Sequence, residues 1–111
     1  MALPLTLPAY MLDATSSVQV TIVSNYYTAQ VSFYSGPTLV FSLTLIQQAP
    51  KVTLPANLAV GTFIIHSGTL TLQIPSSIQS GTVTLNCTYT DQNVTTPQPL
   101  NAVIATWKLN Q

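Results

Sequence analysis

Apolar and polar residues alternate through most of this chain. The clearest runs are residues 17–24, 27–34, 38–46, 69–74 and 81–90. Successive side chains of a strand point to opposite faces, so a period of two residues indicates strands with one buried face and one face in water. Each run is rich in β-branched or aromatic residues and is bounded by Gly, Pro, Asn or Ser. The sequence therefore predicts an all-β protein built from antiparallel sheets.

No segment shows the 3.6-residue apolar stripe with caps that is typical of a helix. Short strands at regular spacing favour a sandwich or a barrel. We predict an antiparallel β-sandwich of about eight strands, single jelly-roll or immunoglobulin-like, over 17–111, after an N-terminal arm or edge strand over 1–16. The predicted strands are 3–7, 17–24, 27–34, 38–46, 50–54, 61–66, 69–74, 81–90 and 100–109.

A short internal repeat relates residues 53–63 to residues 73–83. Both copies read aliphatic-Pro-x-x-aliphatic-x-x-Gly-Thr-apolar. The proline ends a strand because it has no N–H for the ladder. Gly61 or Gly81 then permits the backbone conformation that restarts the next strand. The motif resembles the connection between strands on opposite sheets in immunoglobulin-like and jelly-roll sandwiches, so we expect both copies to cross between sheets.

Charge is almost absent: Asp13, Lys51, Asp91 and Lys108 are the charged residues, 4% of the chain against roughly a quarter in ordinary proteins. Two lysines cannot form the basic patch that binding nucleic acid requires. No apolar run approaches the roughly 18 residues of a transmembrane helix. Because a net charge near zero favours association, we expect partners to be copies of the chain and other structural proteins of the same assembly.

The residues that could support catalysis are few. Asp13 and Asp91, the only acids, are expected to be turn or cap residues, and His66 a strand-end histidine hydrogen-bonded to a loop. Cys87 alternates in phase with apolar residues, which predicts a buried thiol. One histidine and one cysteine do not make a metal site. We therefore expect no catalytic, cofactor-binding or metal-binding residues, no cofactor, no small-molecule substrate and no enzymatic activity.

The aromatic residues are expected to face mainly inward. Tyr26 and Tyr27 are adjacent, so in a strand they point to opposite sides. Trp107 shares a predicted face with Val103 and Ala105, which favours the core. An aromatic platform for sugars is therefore not favoured.

Two sequons and one apolar segment remain as candidate sites. Asn93 and Asn86 each begin an Asn-x-Thr triplet and are possible glycosylation sites, with Asn93 in a polar loop the better acceptor. Leu3, Leu5 and Leu7 form a possible assembly arm. Residues 1–8 have no basic region and contain two prolines, so no secretory signal is expected and synthesis in the cytoplasm is the simpler interpretation.

The combination of small size, all-β patterning, minimal charge and abundant Thr, Ser, Gln and Asn is similar to that of the small β-sandwich structural proteins of viruses of hyperthermophilic archaea. The resemblance is one of general character. It implies a structural subunit of a virion, a capsid or capsid-associated protein, located in the virion. Two alternatives stay open: a cell-surface filament or pilus subunit that uses β-strand addition, and a carbohydrate- or receptor-binding module of a spike.

Overall fold

The computed structural model describes residues 5–23, 28–73 and 80–108, which form two antiparallel sheets. The first sheet contains β1 (Leu5–Thr6), β2 (Tyr10–Met11), β3 (Ser16–Ile22), β4 (Thr28–Ser35) and β5 (Thr38–Ile46). The second contains β6 (Lys51–Thr53), β7 (Leu58–Val60), β8 (Phe63–Gln73), β9 (Ser80–Thr90) and β10 (Gln98–Lys108). The predicted β-sandwich is confirmed, with ten strands in these ranges rather than about eight. The same ranges contain no helix capable of crossing a membrane.

The chain passes from one sheet to the other once, through residues 47–50. The strand order is β1-β3-β4-β5 in the first sheet, with β2 also paired to β3, and β10-β9-β8-β6 in the second, with β7 also paired to β8. Each half of the described chain therefore forms one layer.

The predicted role of the repeat as a crossing between sheets is wrong. The first copy joins β6 to β7 and leads into β8, and both β6 and β7 pair with β8. The second copy lies between β8 and β9, which are neighbours in the same sheet. Gly61 has a φ of +64° in the tight turn between β7 and β8, so β8 runs back antiparallel to β7 within the same sheet. Residues 74–79 of the second copy lie outside the described residues.

The core lies between the inner faces of the two sheets. Alternate residues of β3 are buried along its whole length, as the alternation predicts. Strand β3 faces β10, β4 faces β7 and β5 faces β8. The buried apolar residues are Val18, Val20, Ile22, Ala29, Val31, Phe33, Leu45, Leu54, Val60, Phe63, Ile65, Leu70, Leu72, Val83, Leu85, Cys87, Ile104, Ala105 and Trp107.

Bulges change the phase of the alternation in β5 and β10. In β5 the register passes from Phe41 to Leu39, so Val40 is the extra residue and Leu39 is 53% exposed. In β10 Ile104 is the extra residue, and Val103 is 55% exposed while Ala105 and Trp107 are buried. An extra residue reverses the faces on one side of a bulge. The prediction that Trp107 belongs to the core is confirmed, whereas the placement of Val103 on the same face is wrong.

A third bulge joins two predicted strands into one. Residues 61–66 and 69–74 were predicted as separate strands, but β8 is continuous and has its extra residue at His66. Gly68 lies opposite Cys87, where an added Cβ would be 2.6 Å from the Cys87 Cβ. The glycine is therefore required by a close approach between strands.

Candidate functional site

One end of the sandwich is organised around Asp13, in the turn between β2 and β3. The backbone N–H groups of Thr15 and Ser16 donate to its Oδ1 at 2.9 and 2.7 Å. The Thr62 hydroxyl, in the turn between β7 and β8, donates to its Oδ2 at 3.2 Å. Asp13 therefore stabilises its own turn, as the sequence predicted, and also links the two sheets.

A buried hydroxyl makes a second link at the same end. Ser16 is fully buried, and its hydroxyl donates to the carbonyl of Val60 in the second sheet. The neighbouring Gly61 lies close to Ser35, and an added Cβ would be 2.7 Å from the Ser35 Oγ. The positive φ of Gly61 confirms the predicted need for glycine at this copy of the repeat.

The electrostatic environment favours the charged form of Asp13. Partial burial raises its pKa, but the hydrogen bonds from the backbone of Thr15 and Ser16 and from the Thr62 hydroxyl outweigh burial, so the net pKa lies below the ordinary value of 3.8. Asp13 is therefore ionised at neutral pH, which suits a structural acceptor. A general acid would need the opposite shift.

Asp91, the second acid, lies at the same end. Its Oδ1 accepts from the backbone N–H groups of Asn93 and Val94, both at 2.8 Å, which confirms the predicted turn role. Both carboxylate residues line one cavity of about 90 Å³, together with Thr62 and Asn93. The sequence did not predict that Asp13 and Asp91 lie close together, because they are far apart along the chain. Among the described residues no three His, Cys, Asp or Glu side chains come together to hold a metal ion.

Removing the Asp13 carboxylate tests this end of the sandwich. We expect Asp13→Ala to lower the free energy of unfolding by about 1–2 kcal/mol at pH 7, because two backbone N–H groups of the turn and the Thr62 hydroxyl lose their acceptor. Since the folded pKa is depressed, the contribution of Asp13 is complete above its unfolded pKa and is lost as the pH falls through the folded value. Urea unfolding of wild type, Asp13→Ala and Asp13→Asn at pH 7 and pH 3 measures both effects. An Asp13→Asn variant that loses as much stability on acidification as wild type would contradict the assignment.

His66 is hydrogen-bonded to neighbouring side chains, and Cys87 is buried. His66 Nε2 lies 2.8 Å from the Thr90 hydroxyl, and Nδ1 lies 3.1 Å from Asn57 Oδ1 in the turn between β6 and β7. The histidine is hydrogen-bonded to a loop as predicted, although it lies at a bulge rather than at a strand end. Cys87 is buried as predicted, and burial raises the pKa of its thiol to about 11. A nucleophilic cysteine would need a lowered pKa.

The predicted modification and arm residues lie as follows. Asn86 is exposed on β9 and Asn93 is exposed in the loop before β10, so glycosylation at either stays a prediction. Leu5 and Leu7 are half-buried against the core of their own chain, and the N–H of Leu7 donates to the Val20 carbonyl at 2.9 Å. Leu3, Tyr26 and Tyr27 lie outside the described residues.

The outer faces of both sheets consist mainly of hydroxyl and amide side chains. On the second sheet Thr71 lies opposite Thr84, Thr69 lies opposite Asn86, and the Ser67 and Thr88 hydroxyls are 3.2 Å apart. The first sheet carries similar rows, such as Ser32 opposite Ser42. Across the described strands as far as Trp107, Lys51 is the one charged residue. These faces can therefore be covered with little cost of desolvating ions.

A shallow groove lies on the outer face of the second sheet. Its lining is formed by Thr53, Ser67, Gly68, Thr69, Asn86, Cys87, Thr88 and Pro99. No aromatic ring lines it, and of the described aromatic residues Phe33, Phe63 and Trp107 are buried and the others are half-buried. Small-molecule sites usually combine apolar or aromatic walls with a few polar groups, so this groove does not favour a carbohydrate site.

The large apolar side chains that are exposed all lie on one type of element, the edge strands. Among the described residues they are Met11, Leu39, Val40, Ile46 and Val103. All five lie on strands at the edges of the sheets: β2, β5 and β10. Exposed apolar residues on edge strands are suited to contacts with other chains.

Known proteins give no independent indication of the role of these surfaces. No protein-family model, curated protein or solved structure matches this chain.

Proposed function

We propose that this chain is a structural subunit of a virion, a capsid or capsid-associated protein held in place by protein–protein contacts. The observation that supports this proposal best is the location of the exposed apolar side chains on edge strands, beside outer faces with almost no charge. Burial of these faces against neighbouring subunits would add apolar contacts and neutral hydrogen bonds without enclosing ions.

A shell subunit is favoured over the two alternatives by separate observations. A filament that uses donor strands would need residues 5–7 to leave the core of their own chain, where Leu5 and Leu7 are packed. A carbohydrate-binding module would need a site with aromatic walls, which the groove on the second sheet lacks. The choice of a virion among ordered assemblies comes from the resemblance in size, composition and fold class to structural proteins of archaeal viruses.

The proposed function predicts a large, discrete assembly. Light scattering after size exclusion at micromolar concentration is expected to give a mass many times that of the 11.9 kDa chain, and electron microscopy is expected to show closed particles. Filaments would favour the pilus alternative instead. A monomer at every concentration would contradict self-assembly and make glycan binding the next property to measure.

A further inference from the structure

The edges of the two sheets differ in their protection against pairing with another strand. Natural sheets protect edges with short strands, prolines, charges and bulges. Strands β1 and β2 have two residues each and are separated by Pro8. Strands β6 and β7 have three residues each, with Lys51 in the first and Pro55 between them. Strand β10 contains Pro99 and a bulge at Ile104.

Strand β5 lacks most of this protection. It is nine residues long and contains no proline, glycine or charged residue. It is the last strand of its sheet, and within the described ranges no strand pairs with its outer side. Its one irregularity is the bulge at Val40, after which residues 41–46 pair regularly with β4. At the end of the strand the Ala49 N–H donates to the Ile46 carbonyl at 3.0 Å, so the regular segment of unpaired backbone N–H and C=O groups is 41–45.

The core is also incompletely covered along β5. Phe41 and Leu43 pair with the fully buried Phe33 and Val31 of β4, so they belong to the inner face of the sheet. Nevertheless, Phe41 and Leu43 are only half-buried. A further strand beside β5 would cover both side chains and continue the core.

We propose that β5 pairs with β5 of a second copy, antiparallel about a two-fold axis at Leu43, so that the first sheets of two subunits form one continuous sheet. This inference rests on the proposed role as an assembling subunit and names the partner of one of its contacts. A two-fold interface uses the same surface on both copies, so the sequence of the strand must complement itself.

The sequence of β5 meets this condition in the register centred at Leu43. With Leu43 opposite its own copy, Phe41 comes opposite Leu45 on the inner face and Ser42 comes opposite Thr44 on the outer face. Apolar pairs and hydroxyl pairs of this kind stabilise neighbouring strands. A shift by one residue would place apolar side chains opposite hydroxyls.

Charge and exposure are consistent with the same pairing. Identical residues approach each other near a two-fold axis, so any charge there would meet a like charge. The four charged residues of the chain all lie outside β5. Ser42 and Thr44, which this register pairs, are both exposed in the single chain.

Introducing charge at the edge tests the pairing. Ser42→Lys/Thr44→Lys places lysines opposite lysines across the axis, whereas Gln30→Lys/Ser32→Lys adds the same charge to the neighbouring positions of β4. We expect the β5 variant to weaken dimerisation at least ~30-fold, because like charges in an interface cost several kcal/mol. The β4 variant should change dimerisation less than ~3-fold, because its lysines lie one strand away from the contact. Sedimentation equilibrium at concentrations below those at which particles form gives the dissociation constants of wild type and both variants, and equal effects of the two variants would overturn the proposal.

Cross-linking gives a second readout that does not depend on repulsion. Opposite Cα atoms of antiparallel strands are about 4.5–5.5 Å apart, within the range of a disulfide. Ser42→Cys/Thr44→Cys is therefore expected to give a covalent dimer on mild oxidation, and Gln30→Cys/Ser32→Cys is not. Cys87 is buried and is present in both variants, so its thiol cannot account for a difference between them.

The outcomes separate this inference from the proposed function. Loss of the dimer in the β5 lysine variant together with a covalent dimer in the β5 cysteine variant supports the pairing. If wild type forms the large particle and neither β5 variant behaves as expected, the pairing is wrong and the structural role stands. If wild type is a monomer at every concentration and the β5 cysteine variant forms no covalent dimer, both are wrong.

Discussion

Phe63→Ala is expected to lower the free energy of unfolding by about 3–5 kcal/mol, the usual cost of truncating a fully buried phenylalanine. Phe63 is 1% exposed at the start of β8. Its ring stacks on Tyr89, with the centroids 4.7 Å apart and the planes inclined at 14°. A domain of this size has a total stability of about 5–15 kcal/mol, so the variant should lose between about a fifth and all of it at 25 °C.

Urea unfolding measures this change, and the single, buried Trp107 is a convenient fluorescent probe. A shift of the midpoint at constant m-value reports stability alone. Val103→Ala is the matched control, since it truncates an apolar side chain that is 55% exposed and should cost less than about 0.5 kcal/mol. Equal midpoint shifts in the two variants would mean that the core has been assigned incorrectly.

Gly81→Ala should lower the free energy of unfolding by about 1–3 kcal/mol, as is typical when a methyl group is forced into a packed core. Gly81 lies directly opposite Trp107 in the register of β9 and β10. The indole covers the glycine, and an added Cβ would lie 2.5 Å from Trp107 Cζ2 and 2.7 Å from Cε2. The substitution can be accommodated only if the ring or the strand moves.

A double-mutant cycle with Trp107→Leu tests the cause. If the indole is the obstacle, Gly81→Ala should cost at least ~1 kcal/mol less in the Trp107→Leu background, because contacting residues do not contribute additively. Urea unfolding of the four proteins, followed by circular dichroism, gives the coupling. An additive cycle would contradict the role of the ring.

The sequence was sufficient to predict the fold class and most of the buried residues, because both follow from local alternation. Val18, Val20 and Ile22 are buried as the pattern predicts. The pattern could not predict the bulges at Val40, His66 and Ile104, since one extra residue in a strand leaves no distinctive local signature. The exposure of Val103 follows directly from one of them.

Contacts between distant segments were the least predictable features. Asp13 was predicted as a turn residue, but its bond to Thr62 joins turns that are 49 residues apart. The shared cavity of Asp13 and Asp91 likewise depends on how the sheets stack. Composition did predict the neutrality of the outer faces, because a chain with four charged residues has few ways to place them. Which edge lacks protection became clear only from the strand order.

The single passage between the sheets has a consequence for synthesis on the ribosome. All strands of the first sheet precede residue 47, and the last strand of the second sheet ends at residue 108. At about 5–20 residues per second, the first sheet waits roughly 3–12 s for the layer that covers its inner face. During that interval the uncovered inner face and β5 are accessible to other nascent chains. The edge that is proposed to join finished subunits is therefore also the edge that a chaperone would need to protect first.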